Sequence, residues 1–175
     1  PVVTTLQPSP ALSIVGNPSG TFKGRKLGVL VSDGVDAALL SAVQAAFREE
    51  GAMVKLVAPM VGGVKASDGS WITADEKIDG GPSVVFDAVA VLLSDAGAQL
   101  LTNEATARDF VADAFAHCKF IAHTAAATPL LEKAGVAAAR DSGVIELKEP
   151  TDAATFVQAC RQLRFWEREA KVKQV

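Results

Sequence analysis

The sequence predicts an α/β fold, a doubly wound, mostly parallel sheet with helices on both faces and a small β-hairpin. First, residues 27–31, 53–58 and 88–93 are short apolar runs rich in β-branched residues, as expected of strands covered on both faces. Second, Leu39, Leu40, Val43, Ala46 and Phe47 recur at intervals of three and four and are followed by Gly51, the pattern of an amphipathic helix and its stop. Third, the order strand, helix, strand implies a parallel pair joined by a right-handed crossover.

The elements follow in order. Residues 1–24 contain Pro8, Pro10, Gly16, Pro18, Gly20 and Gly24 with almost no charge, which favours an extended arm over a packed element. The domain is therefore set at residues 25–175. Within 62–74, Ser67-Asp68-Gly69-Ser70 has turn chemistry between two short flanks, predicting the hairpin. After the strand at 88–93, Phe110, Val111, Ala114 and Phe115 mark the inner face of a helix, and residues 119–123 resume the sheet. A short helix over 128–133 ends near Gly135, a small strand covers 144–147, and a C-terminal helix starts near Ala153. No internal repeat is visible, and the alanine enrichment raises helix propensity without naming any chemistry.

Composition narrows the function classes. The 175 residues are 49% hydrophobic and 21% charged, enough apolar content for one buried core. A net charge of -3 gives no basic surface for nucleic acid. No run of about 18 apolar residues and no signal-peptide pattern is present, so a soluble chain without a membrane partner is expected. Cys118 and Cys160 are too few for a disulfide framework, which favours the cytoplasm while leaving a secreted parent open. The chain starts at Pro1 with no methionine, as a piece of a longer protein would.

Ligands in open parallel sheets sit beyond the carboxyl ends of the strands, so the loops after Val31, Ala58, Leu93 and His123 are the places to search. His117, Cys118 and His123 contain metal-ligating atom types, but His117 and Cys118 are adjacent and diverge. His123 lies roughly 13 Å further along an extended element at about 3.3 Å per residue; no metal is expected. Gly28 and Gly34 are too sparse for a dinucleotide fingerprint, so no cofactor is expected in this chain. Arg161, Arg164, Arg168 and Lys171 form a stripe at helical spacing, expected to be a solvated helix face near a helix C-terminus. Phe165 and Trp166, with Arg168, either cover the core edge or anchor a partner.

Two loops carry a first resemblance. Ser32-Asp33-Gly34-Val35-Asp36 and His123-Thr124-Ala125-Ala126-Ala127-Thr128-Pro129 resemble loops of the class I glutamine amidotransferase-like superfamily, which contains intracellular cysteine peptidase-like and glyoxalase-like proteins. That resemblance implies a flavodoxin-like fold and puts Ala125 where the reactive cysteine belongs and Ala126 where its histidine neighbour often lies. Alanine supplies neither a nucleophile nor a base. Thr124, Ala125 and Ala126 thus read as a degenerate elbow, and Asp36 as a vestigial acid whose plain role is to favour a helix N-terminus.

A more specific resemblance rests on 9–13 (Ser-Pro-Ala-Leu-Ser), on 23–36 from Lys23-Gly24-Arg25 through Asp36, on 129–136, and on Phe165-Trp166-Glu167-Arg168-Glu169. Together they resemble the C-terminal region of large-subunit catalases across essentially the whole chain. The resemblance implies a parent haem catalase that disproportionates hydrogen peroxide, with its haem in an N-terminal region outside this chain. Its partners would be the catalase core and the other chains of a tetramer. The implied role is a non-catalytic accessory domain for stability and assembly, with a chaperone-like action on unfolding client proteins when free. The alternative is a residual glyoxalase-like or hydrolase-like enzyme using water activated by Asp33 or Asp36, for which no acid–base partner is identifiable.

Overall fold

The structure, a computed structural model, describes residues 5–136 and 140–172. The first four residues of the arm and the last three of the domain range lie outside the described residues. Strand β1 (Lys26–Val31) is followed by helix α1 (Ala37–Glu49) and strand β2 (Met53–Ala58). The hairpin β3 (Val64–Lys65) and β4 (Trp71–Ile72) and a short strand β5 (Glu76–Lys77) come next. Then come β6 (Ala88–Leu92), α2 (Asp95–Leu101), α3 (Ala105–Ala116), β7 (Ile121–His123), α4 (Thr128–Lys133), β8 (Val144–Glu146), α5 (Asp152–Cys160) and α6 (Glu169–Val172).

The six-stranded sheet has the order β5-β2-β1-β6-β7-β8, and every neighbouring pair is parallel. Among the described residues, only β3 and β4 pair antiparallel. The alternation of side chains along a strand divides the core into two layers. Leu27, Val29 and Val31 face α1 and α5 with Phe47 and Phe156, whereas Leu30, Val89 and Val91 face α2, α3 and α4. The central strands β1 and β6 are buried almost throughout and so join both layers, which is why their sequence reads as apolar runs. Gly28 has a packing role. A Cβ there would lie 2.3 Å from the Phe86 ring, so the missing side chain makes room for Phe86 on the sheet.

The structure departs from sequence expectation in four places. Helix α2 and strand β5 were not expected. Helix α2 is only seven residues long, with Gly97 in its middle, and β5 is a two-residue edge, so neither builds a readable period. Residues 5–20 of the arm are exposed, apart from a half-buried Ser13, and carry a 3₁₀ turn at Pro10–Leu12. Yet Phe22 is fully buried, edge-on to Phe47 at 5.5 Å, so packing on the domain begins within the stretch read as arm. Finally, no helical face joins Arg161, Arg164, Arg168 and Lys171. Helix α5 stops at Cys160, Leu163 takes a φ of 65°, and the chain turns back over the sheet before α6. A left-handed residue cannot continue an α-helix, so the spacing of the basic residues loses its helical meaning.

Candidate functional site

The loops after β1, β2, β6 and β7 emerge at one edge. The chain leaves β1 for β2 on one side and reaches β6 on the other, so the strand order reverses around β1. In the first loop Gly34 takes a φ of 77°, a conformation open to glycine. It lets the chain turn from β1 towards α1, where Asp36 is the N-cap: its Oδ1 accepts the Leu39 N–H at 2.9 Å. Asp36 therefore satisfies an orphan helix donor.

Asp33, the other acid considered for activating water, ties the hairpin to the sheet. Its Oδ1 accepts the Lys65 N–H at 2.7 Å while the Gly34 N–H donates to the Lys65 carbonyl at 2.7 Å. Ser94 is a residue that sequence reading missed. Its Oγ accepts the Gly97 N–H at 3.1 Å as the N-cap of α2 and donates to the Asp33 carbonyl, and its N–H donates to Ser32 Oγ at 3.2 Å. A serine placed directly after an apolar run is a legible N-cap signal, but the short glycine-containing helix behind it concealed its meaning.

At the fourth loop, Thr124 has φ -79° and ψ 157°, and Ala125–Ala127 form a 3₁₀ turn leading into α4. A nucleophile elbow is a sharp, strained turn that lifts one side chain clear of the sheet; no such strain is present here. Thr124 carries the single hydroxyl of the Thr124-Ala125-Ala126 stretch. Its Oγ1 donates to the Leu93 carbonyl at 3.0 Å and accepts the Leu93 N–H at 3.2 Å, stitching β7 to the end of β6.

His123 is fully buried. Its Nδ1 contacts the Thr124 carbonyl at 3.0 Å and its Nε2 lies 2.6 Å from an Arg140 nitrogen. Since Arg140 can only donate, Nε2 accepts and Nδ1 carries the proton. Burial lowers the pKa of the ring, and the Arg140 charge lowers it further against the opposing pull of the Thr124 carbonyl and Glu146. His117 is exposed at the end of α3, whereas Cys118 is buried at a φ of 54°. Burial raises the Cys118 thiol pKa, so it is not an activated thiolate. No group of three or more metal-ligating side chains occurs among the described residues. The chain has no tyrosine, the residue that ligates haem iron in catalases, and both His123 nitrogens are engaged. The residues present do not fit a haem site.

The C-terminal edge corrects the reading of the basic residues. Arg161 makes a forked pair with Glu50, with contacts of 2.6 to 3.2 Å. The Arg161 hydrogen bonds, with a further bond from the Phe22 N–H, hold the Glu50 pKa down to about 2. Arg164 donates to the Asp87 carbonyl at 3.0 Å. Arg168 is 0% exposed: it grips both Asp141 oxygens at 2.8 Å, donates to the Lys119 carbonyl at 2.7 Å, and stacks 4.1 Å above the Phe115 ring. Arg168 is thus unavailable to a partner, because its guanidinium closes the space between α3, β7 and the returning C-terminal segment. Phe165 packs edge-on to Phe120 at 6.0 Å. Trp166, half-buried, shares a shallow groove with Val15 and Pro18 of the arm.

With this geometry in view, the comparisons with known proteins are specific. Residues 23–170 match the family model of the C-terminal domain found in long catalases. Catalase C of Rhizobium meliloti is 54% identical over 168 residues, 96% of this chain and 24% of that protein. Catalase HPII of Pseudomonas aeruginosa is 35% identical over 97% of this chain and 24% of its own length. The chain thus spans about a quarter of the length of the curated relatives it matches. Among solved structures, Drosophila melanogaster DJ-1beta aligns with a TM-score of 0.68 and oxidized Toxoplasma gondii DJ-1 with 0.67. Both are 19% identical, each covers 85% of this chain, and 95% and 96% of their own chains are matched. They show a flavodoxin-like fold. The chain belongs to the family of C-terminal domains found in long catalases.

Proposed function

We propose that this chain is a non-catalytic accessory domain of a large haem catalase, serving the stability and assembly of its parent. The observation that carries the reading is the loop after β7. Ala125 and Ala126 occupy an unstrained 3₁₀ turn, and the neighbouring Thr124 hydroxyl is spent on the Leu93 backbone. Asp33 and Asp36, the remaining candidate acids, each hold a backbone N–H, which favours a structural role for both. The parent would decompose hydrogen peroxide with haem bound in its catalase core, the partner of this domain, and its chains would assemble as tetramers. Once free, the domain would shield unfolding proteins through apolar surface such as Leu6, Leu12, Ile14 and Val15 of the arm, all exposed.

The test is removal of the domain from the full catalase chain. Faster thermal inactivation and loss of tetramer, with peroxide turnover per haem unchanged, is the expected result. Unaltered assembly and inactivation would refute the accessory role, and a fall in turnover per haem would refute the non-catalytic one. Light scattering of a heated client protein, with and without the isolated chain, tests the shielding separately.

A further inference from the structure

The loops after β1, β2 and β6 converge on a cleft of about 580 Å³ between the hairpin and α2. It stands at the edge where the strand order reverses, the usual location of ligand sites in such sheets. Its size lies within the roughly 300–1,000 Å³ of small-molecule pockets. Val64 and Leu101 in its wall are buried, but Met60 and Leu100 at its mouth are 68% and 72% exposed. Beside them Trp71, 63% exposed, is pinned to the 59–63 loop by its indole N–H, which donates to the Gly62 carbonyl at 3.1 Å. Single exposed apolar residues are ordinary. Two on different elements, lining one concave space, are what an apolar ligand body requires.

The charged side chains that line the cleft have one sign. Asp33 and Glu104 both line it. Asp33 uses only Oδ1, on Lys65 N–H, and Glu104 starts α3 without a side-chain capping bond. Neither carboxylate is within ion-pair distance of a cation among the described residues; Lys77, near enough to Glu104 to feel its charge, is paired with Asp79. An apolar wall with surplus negative charge complements a molecule with an apolar body and a protonated amine, and repels the equivalent acid. We propose that this cleft binds small hydrophobic amines. The apolar body packs between Met60, Leu100 and Leu101, and the ammonium donates to Asp33 Oδ2 and Glu104. The site is distinct from the alanine-filled turn after β7 and independent of the accessory role.

The experiment titrates the 175-residue chain, in a Trp166→Phe background that leaves Trp71 as the reporter, with phenylpropylamine, phenylpropanol and phenylpropionate. Binding is followed by Trp71 fluorescence and calorimetry. Saturable amine binding is expected, with the acid weaker by about tenfold or more, the size of one charge-assisted hydrogen bond. Glu104→Gln is expected to weaken the amine several-fold, towards the affinity of the alcohol, because Asp33 still offers one carboxylate. Leu100→Lys, at an exposed position, is expected to abolish binding while leaving the urea midpoint unchanged. Absence of saturation, equal affinity for amine and acid, or binding indifferent to both variants would overturn the proposal.

Discussion

Two edges of the domain use their polar residues differently. At the carboxyl edge, where chemistry would sit in a doubly wound fold, Ser32, Asp33, Asp36, Ser94 and Thr124 each bond to backbone, and alanines fill the turn after β7. At the C-terminal edge, a segment with the sequence pattern of a solvated helix face holds a fully buried guanidinium and a forked ion pair between α1 and the end of α5. At both edges polar chemistry is spent on joining elements. At the carboxyl edge the joins are hydrogen bonds between side chains and backbone. At the C-terminal edge one join, Arg168 on Asp141, involves desolvated charge, which is far more costly to break.

That asymmetry can be tested from its strong end. Arg168→Met leaves Asp141 without its partner and empties the Phe115 stack, and is expected to destabilise the domain by about 3–5 kcal/mol, the usual cost of breaking a buried pair. Urea denaturation measures it, and Asp141→Leu added to Arg168→Met should recover part of the loss. A small loss for the single variant would erase the difference between the edges.

Gly97→Ala comes next. In a helix this change ordinarily stabilises, but a Cβ on Gly97 would stand 1.9 Å from Ser32 Oγ. A loss of about 1–3 kcal/mol from overpacking is expected instead, with recovery in the Ser32→Gly/Gly97→Ala pair, by the same urea measurement. Asp36→Ala should cost about 1 kcal/mol through the lost cap, and Asp36→Asn almost nothing. A turnover of any small substrate that disappears in Asp36→Asn would return catalysis to the carboxyl edge.

The smallest effects are pH-dependent. The Glu50 pKa is lowered from 4.5 to about 2, so its contribution is fully present above 4.5 and is lost as pH falls towards 2. Glu50→Gln should flatten that part of the curve of melting temperature against pH. His123 works in the same direction at higher pH. Its lowered pKa means that the unfolded chain takes up the proton first, so stability declines as pH falls through about 6.5. His123→Gln should remove that slope.

Much of the domain was legible from local pattern. Strand β2 and helix α4 occupy the expected residues, and the hairpin falls where Ser67-Asp68-Gly69-Ser70 placed it. Apolar runs and turn residues act over a few positions, so sequence displays them directly. That Ala125 and Ala126 carry neither a thiol nor an imidazole was equally legible, because residue identity alone decides which atoms a side chain offers. Other features depended on contacts between distant positions. Arg168 meets Asp141 and Phe115, Asp33 meets Lys65, and Ser94 meets Ser32. Met60 and Leu100 border one cleft although forty residues separate them. The sequence by itself determined the layered fold and the alanine-rich make-up of the turn after β7. The tertiary structure decided which charges are buried, which acids are spent on the backbone, and where an unfilled apolar space remains. Burial and pairing belong to the folded neighbourhood of a residue and are not encoded in its local spacing.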